Sequence, residues 1–198
     1  MKTLIVLLIS VMPTNVLRCF LYNILLGYKI RNAKVGWLAV IDVSQFEITG
    51  SRIGRMTIFR GPMRVTIGKN VQIGFRNRFN CGQWVAKKSD YNRHLLIHED
   101  VLITNGHHFD VAGKIEIGIN SVVAGINSQF WTHGNGVIDK DITIGRDCYI
   151  GTSSIFCPGS QIADNTLVGA GTVITKKFAE SNVLIVASEG KIKKRRDT

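Results

Sequence analysis

Ile142-Thr-Ile-Gly-Arg-Asp-Cys-Tyr-Ile-Gly-Thr-Ser-Ser-Ile-Phe-Cys-Pro-Gly-Ser-Gln-Ile-Ala-Asp-Asn-Thr-Leu-Val-Gly-Ala-Gly-Thr-Val-Ile-Thr-Lys176 is the stretch on which the fold turns. Aliphatic or aromatic residues stand at every sixth position, Ile144, Ile150, Phe156, Ile162, Val168 and Ile174, and Ile138 extends the register back by one step. Such a period matches neither the turn of an α-helix nor the simple alternation of a strand. The same step recurs at Ile53, Phe59 and Val65, at Ile67, Ile73 and Phe79, at Ile97, Ile103, Phe109 and Ile115, and at Ile117 and Val123. Changes of register, and a break from Gln83 to Leu95, mark loops. Gly68, Gly74, Gly118, Gly145, Gly151 and Gly169 each follow an apolar anchor, while Asn70, Asn77, Asn120, Asp147 and Asn165 stand at expected corners. Gly, Asn and Asp tolerate the left-handed backbone that corners demand. Each hexad is therefore one short strand and one bend. Coils built this way pair strand to strand and stack like residues inside, which predicts an all-β parallel β-helix and excludes an α/β sheet.

The composition agrees with a folded chain of 198 residues, 45% hydrophobic and 20% charged, and excludes disorder for most of it. A net charge of +11 points to anionic partners. Residues 1–88 hold 14 basic and 2 acidic residues, so the charge lies at the N-terminal end of the coil axis. Cys19, Cys81, Cys148 and Cys157 form no CxxC pair and no zinc-finger spacing, so no metal is expected and a reduced compartment fits. The arginines Arg52, Arg55, Arg60, Arg64, Arg76 and Arg78 are not interleaved with aromatic residues, which argues against nucleic acid.

Residues 1–28 read as a membrane-associating helical segment, 29–190 as the β-helix and 191–198 as a basic tail. The N-terminal segment lacks a signal-peptide cleavage site, and Pro13, Asn15, Arg18 and Asn23 interrupt any single crossing. From Asn15 a helix is predicted with Thr14 as N-cap and Gly27 as stop. Its polar stripe is Asn15, Arg18 and Tyr22, and its apolar face is Val16, Leu17, Phe20, Leu21, Ile24 and Leu25. That face meets either lipid or the protein's own core, and the preceding run Leu4 to Val11 favours lipid. The location expected is thus cytoplasmic, peripheral on the inner face of the cell membrane.

From residue 48 to 190 the sequence resembles the left-handed β-helix acyltransferases with hexapeptide repeats, and residues 142–176 carry the resemblance most specifically. The left hand and a homotrimer are what the resemblance implies. It also implies transfer of acetyl from acetyl-CoA to a sugar hydroxyl, with a histidine base in Gln129-Phe-Trp-Thr-His-Gly134, here His133. An imidazole titrating near neutrality suits that proton transfer. His108, in Ile103-Thr-Asn-Gly-His-His-Phe-Asp110, is the rival base or a positioning group. Asn105, His107, Asp110, Asn127 and Trp131 are candidate substrate contacts, and only one of the adjacent His107 and His108 should face a cleft. Asp110, Asp139 and Asp141 are all available to orient the imidazole.

The resemblance carries acetyl-CoA contacts onto Thr152, Ala170, Thr175 and Lys176. Independently, Gly151, Gly169 and Gly171 would let a pantetheine arm lie on coil backbone, and Lys176 and Lys177 suit its phosphates. At Ala187-Ser-Glu-Gly-Lys191 the chain departs from the family's Gly-Asn-Pro-Ala-Lys, which bears on any contact by Ser188 or Lys191. The expected acceptor is a sugar or lipid-linked glycan in polysaccharide biosynthesis, and the expected surface partner an anionic membrane. Alternatives are an amino-sugar N-acetyltransferase, a metal enzyme resembling γ-type carbonic anhydrases that would use histidines such as His94 and His98, and a non-catalytic scaffold.

Overall fold

The hexads close into triangular coils. In the computed structural model, which describes residues 1–187, short strands stack in parallel on three faces, and two of these faces are joined into one sheet by the long strands Val40–Thr49 and Ile58–Ile67. Ser188, Lys191 and the basic tail lie outside the described residues. In the last coils a residue pairs with the one eighteen positions on, as Ile144 with Ile162, Ile150 with Val168 and Phe156 with Ile174. Three hexads make one turn, so the chain is a parallel β-helix of hexapeptide repeats.

Register stacking governs the core. Phe59, Phe79, Phe109, Phe130 and Phe156 pair in sequence along one face. Their rings stack at 4.5, 4.5, 4.4 and 4.9 Å between centroids. That is the spacing of neighbouring strands, so the backbone dictates a face-to-face geometry that free aromatic pairs do not favour. All of the apolar hexad positions read from the sequence are buried except Ile138, which is 91% exposed. Ile138 lies on a loop that leaves the coil between Phe130 and Ile142, and its match to the six-residue register is coincidental; Ile142 takes the inward place before Ile144.

Asn70, Asn120, Asp147 and Asn165 occupy one corner with φ between 52° and 58°. Asn70 donates to Asp100 at 3.1 Å and Asn120 to Asp147 at 2.8 Å, which ties successive coils together along that corner. Asn77 departs from expectation. It is buried, its φ is not positive, and its side chain donates to Thr104 O and accepts from His107 N.

Two helices, α1 (Lys2–Ser10) and α2 (Asn15–Leu26), close the N-terminal end of the coil. Thr14 caps α2 by accepting from Leu17 N, and Gly27 ends it at φ 67°. The polar stripe of α2 faces the β-helix. Arg18, 5% exposed, donates to Val35 O at 3.1 and 2.9 Å and to Met12 O; Asn15 pairs with Ala33 O and Val35 N; Tyr22 bonds to Ala39 O and Ile41 N. These side chains supply the partners that a preceding strand would have given to the first coil. Of the apolar residues of α2, Leu21 and Leu26 pack at the margin of the core, while Val16, Leu17, Phe20, Ile24 and Leu25 stay exposed.

Candidate active site

Both departures from the regular coil leave at the same corner. The first insertion, between strands Arg78–Asn80 and His94–Ile97, contains a 3-10 helix at Gln83–Lys87; the second runs from strand Gln129–Phe130 to strand Ile142–Ile144. The intervening coil turns tightly there, from strand His108–Asp110 into strand Lys114–Ile117. The two insertions are fastened to each other. Asp90 pairs with Lys140 at 3.1 Å, Asn92 donates to Asp141 at 2.6 Å, and Lys140 lies 4.7 Å from the centre of the Tyr91 ring.

His133 sits where they meet. Its Nδ1 is 2.7 Å from Asp110 Oδ2 on the tight coil between. The Asp110 side chain is 9% exposed and that of His133 is 38% exposed, so the pair is anchored inside and open at one end. Asp110 Oδ2 also accepts from Thr132 N at 3.2 Å and lies 3.0 Å from Thr132 Oγ1. Thr132 is buried and accepts from Gly113 N at 2.8 Å, which locks the carboxylate's own support. A carboxylate bonded at Nδ1 holds the proton there and leaves Nε2 as the basic nitrogen for a substrate. Of the three aspartates open from sequence, Asp110 is thus the orienting one. Asp139 instead pairs with Lys177 at 2.7 Å, and Asp141 accepts from Lys114 N and Asn92.

Aromatic rings frame the imidazole. Trp84 of the first insertion meets His133 edge to face at 5.4 Å and Tyr91 at 5.3 Å, while Trp131 lies 6.4 Å from His133 and 4.9 Å from His108. Trp131 Nε1 donates to Gln129 Oε1 at 3.1 Å. A hollow of about 300 Å³ alongside is lined by Gly106, His108, Asn127, Ser128, Gln129 and Trp131. Burial lowers the pKa of His108; Asp110 opposes the shift and Arg78, its strand neighbour, adds to it. Trp84, Gln129 and Thr132 are not among the site residues that the sequence suggests; Trp84 lies in the break of the repeat from Gln83 to Leu95, where no periodicity singles out a residue.

His107 faces the other way. It is 1% exposed, its Nδ1 accepts from Ser128 N at 3.2 Å, and its Nε2 lies 2.9 Å from Thr104 Oγ1. Burial pushes its pKa down to about 4. It fills a corner column with Thr57, Asn77, Ser128, Ser154 and Thr172, all buried, and is a structural residue, contrary to the substrate role expected of it. Asn105 likewise serves a corner through its Oδ1, which accepts from Phe75 N at 2.9 Å.

The residues expected to hold acetyl-CoA divide. A side chain at Gly151 would strike the backbone at Ala170 N at 2.7 Å, so this glycine is required for coil stacking, whereas one at Gly169 would meet only the side chain of exposed Val186 at 2.8 Å. Thr152 Oγ1 is occupied by Ile126 N and O. Ala170, Gly171, Thr175, Lys176 and Lys177 are exposed. Thr175 follows Ile174, which pairs with Phe156, itself paired with Phe130 before Trp131, so Thr175 lies two coils beyond Trp131 on the same edge. These exposed residues offer small side chains and two cations, which fits an extended, phosphate-bearing acyl donor.

For the metal alternative, His94 bonds to Arg64 and Thr66, and His98 to Glu116. Among the described residues no three His, Cys, Asp or Glu side chains converge.

Comparison with known proteins gives the class first. Residues 141–176 match the family model described as bacterial transferase hexapeptide (six repeats). Over 136 residues, 68% of this chain, it is 27% identical to the bifunctional protein GlmU of Acinetobacter baumannii (strain AYE). Over 116 residues, 58% of this chain, it is 26% identical to the galactoside O-acetyltransferase of Escherichia coli (strain K12). The matches span 29% of the first protein and 56% of the second. The resemblance to the hexapeptide-repeat acyltransferases therefore holds.

Proposed function

We propose that the protein transfers acetyl from acetyl-CoA to a sugar hydroxyl, with His133 as general base and Asp110 as the residue that positions it. The observation that carries the reading is the 2.7 Å bond between His133 Nδ1 and Asp110 Oδ2, itself held by buried Thr132. A hydroxyl is a poor nucleophile at neutral pH, and this arrangement supplies what it needs. His133 Nε2 takes the hydroxyl proton as the oxygen bonds to the thioester carbonyl carbon. Asp110 stabilises the imidazolium so formed. The tetrahedral intermediate then expels the thiolate by cleavage of the carbon–sulfur bond, and His133 returns the proton to the departing sulfur. No redox partner is required.

Trp84 and Trp131 offer ring faces to the apolar side of a pyranose, and His108, Gln129 and Asn127 offer polar groups to its hydroxyls. The acceptor in this reading is a sugar of a polysaccharide or lipid-linked glycan. Ala170, Thr175 and Lys176, with Lys177, would hold the acyl donor. The assembly in this reading is a homotrimer.

The test is release of CoA thiol from acetyl-CoA with a panel of sugar acceptors. Asp110→Asn should lower kcat by about 10²- to 10⁴-fold with the KM for acetyl-CoA little changed. Full activity in His133→Ala would overturn the assignment. A neutral amine needs less help from a base, so a small effect of Asp110→Asn on an amino sugar would favour N-acetylation.

A further inference from the structure

We propose that the outward face of the N-terminal helix pair is a docking surface for an anionic lipid bilayer. The face arises from an inverted amphipathic arrangement. Because Asn15, Arg18 and Tyr22 are turned onto the first coil, the apolar side of α2 is left pointing away from it, with Val16 77% and Ile24 63% exposed. Phe20 and Leu25 are exposed beside them, and α1 adds Leu4 and Leu8. At the edge, Trp37 is half exposed and its Nε1 donates to Val11 O at 3.4 Å. A contiguous apolar patch with a tryptophan at its border is the surface composition of a protein that rests in the headgroup region.

The charge around the patch selects the occupant. Residues 29–67, which form the coils directly beneath the helices, hold seven basic and two acidic residues. Lys29, Arg31, Lys34, Arg52, Arg55 and Arg60 are exposed. Of these only Lys29 has a carboxylate within 4.0 Å among the described residues, Glu47 at 3.5 Å. Coils stack about 4.8 Å apart, so these charges stand on the two coils next to the helix layer. Two copies meeting through this face would bring like-charged rims together, because a two-fold contact opposes the same patch to itself. An anionic lipid surface complements both the apolar centre and the basic rim. Among the described residues no helix is long and apolar enough to cross a membrane, so α1 and α2 lie on the surface.

The pairings Ile41 to Phe59, Phe59 to Phe79, Phe79 to Phe109 and Phe109 to Phe130 put four coil steps between the first coil and the coil bearing His133. The catalytic edge then stands about 19 Å above the first coil, and farther still from the outer face of the helices. If the transferase reading holds, that height suits a glycan projecting from a lipid anchor.

The experiment is co-sedimentation of the full chain with vesicles of phosphatidylcholine alone and with about 30% phosphatidylglycerol added. The wild type should bind the anionic vesicles and remain largely in solution with the neutral ones. Phe20→Glu with Ile24→Glu should reduce the bound fraction at least tenfold while thermal unfolding stays unchanged, because both side chains are exposed. Arg52→Gln with Arg55→Gln should weaken binding about 30-fold at about 1 kcal/mol per charge. Wild-type protein left in the supernatant of anionic vesicles would overturn the proposal. So would a Phe20→Glu, Ile24→Glu variant that binds vesicles normally but sediments in the ultracentrifuge as a smaller assembly, since a second copy would then be the occupant. Vesicle binding is read without any acceptor, so its failure is distinct from failure of the transferase reading.

Discussion

Replacing His107 by Asn should remove an acid-sensitive element from the coil. In the folded protein burial holds the His107 pKa at about 4, against an ordinary 6.5. The unfolded chain therefore binds a proton at His107 between those values while the folded chain does not. Stability from this residue is complete above pH 6.5 and is lost as pH falls towards 4. At about 1.4 kcal/mol per unit, lowering pH from 7.5 to 5 should cost about 2 kcal/mol through this one side chain. At 1% exposure, solvent screening takes little from that figure. Asn is the apt replacement because Asn77 already occupies the same buried column and bonds the backbone there. Urea unfolding of both proteins at the two pH values is the assay. His107→Asn should be the less stable at pH 7.5, where the imidazole's packing is missed, and the gap should narrow by about 2 kcal/mol at pH 5. His94 and His108 are also shifted down and contribute to both proteins alike, so the comparison isolates His107. Parallel pH profiles would refute the reasoning, because His107 would then bind its proton equally in the folded and unfolded chain.

Gly82→Ala tests the aromatic frame. Gly82 has an ordinary extended backbone, φ −62° and ψ 137°, yet a Cβ there would strike the Trp84 indole; the fold should survive, tryptophan fluorescence should change, and kcat should fall with displacement of Trp84 from His133. Unaltered fluorescence and turnover would show that Trp84 does not govern the site. Arg18→Met leaves Val35 O and Met12 O without their donor, which should cost about 2–6 kcal/mol of stability at roughly 1–3 per unsatisfied group. Thermal unfolding reads it, and an unchanged midpoint would mean that water replaces the guanidinium.

The coil was legible in the sequence because its cause is local. One inward residue and one bend per hexad repeat along the chain, so Ile144 to Ile174 announce the strands and Asn70, Asn120, Asp147 and Asn165 the corners. Thr14 and Gly27 were legible for the same reason, since a cap is read within one turn of helix. Ile138 shows the limit: periodicity alone cannot tell a residue on a face from one ejected on a loop that happens to keep step. Asn77 and His107 show another, because the same corner can take a side chain that points in or out.

What the sequence determined by itself was the parallel β-helix, the resemblance to hexapeptide-repeat acyltransferases, and His133 as the residue to watch. The tertiary structure decided which carboxylate serves it. Asp110 is 23 residues away in the chain and one coil away in space, while Asp139 and Asp141, much nearer in sequence, are held by lysine and backbone partners elsewhere. It also decided the direction of α2. An amphipathic pattern states that two faces differ but not which one turns inward; the open end of a β-helix presents unpaired backbone groups, and here it drew the polar face to itself and left most of the apolar one outside.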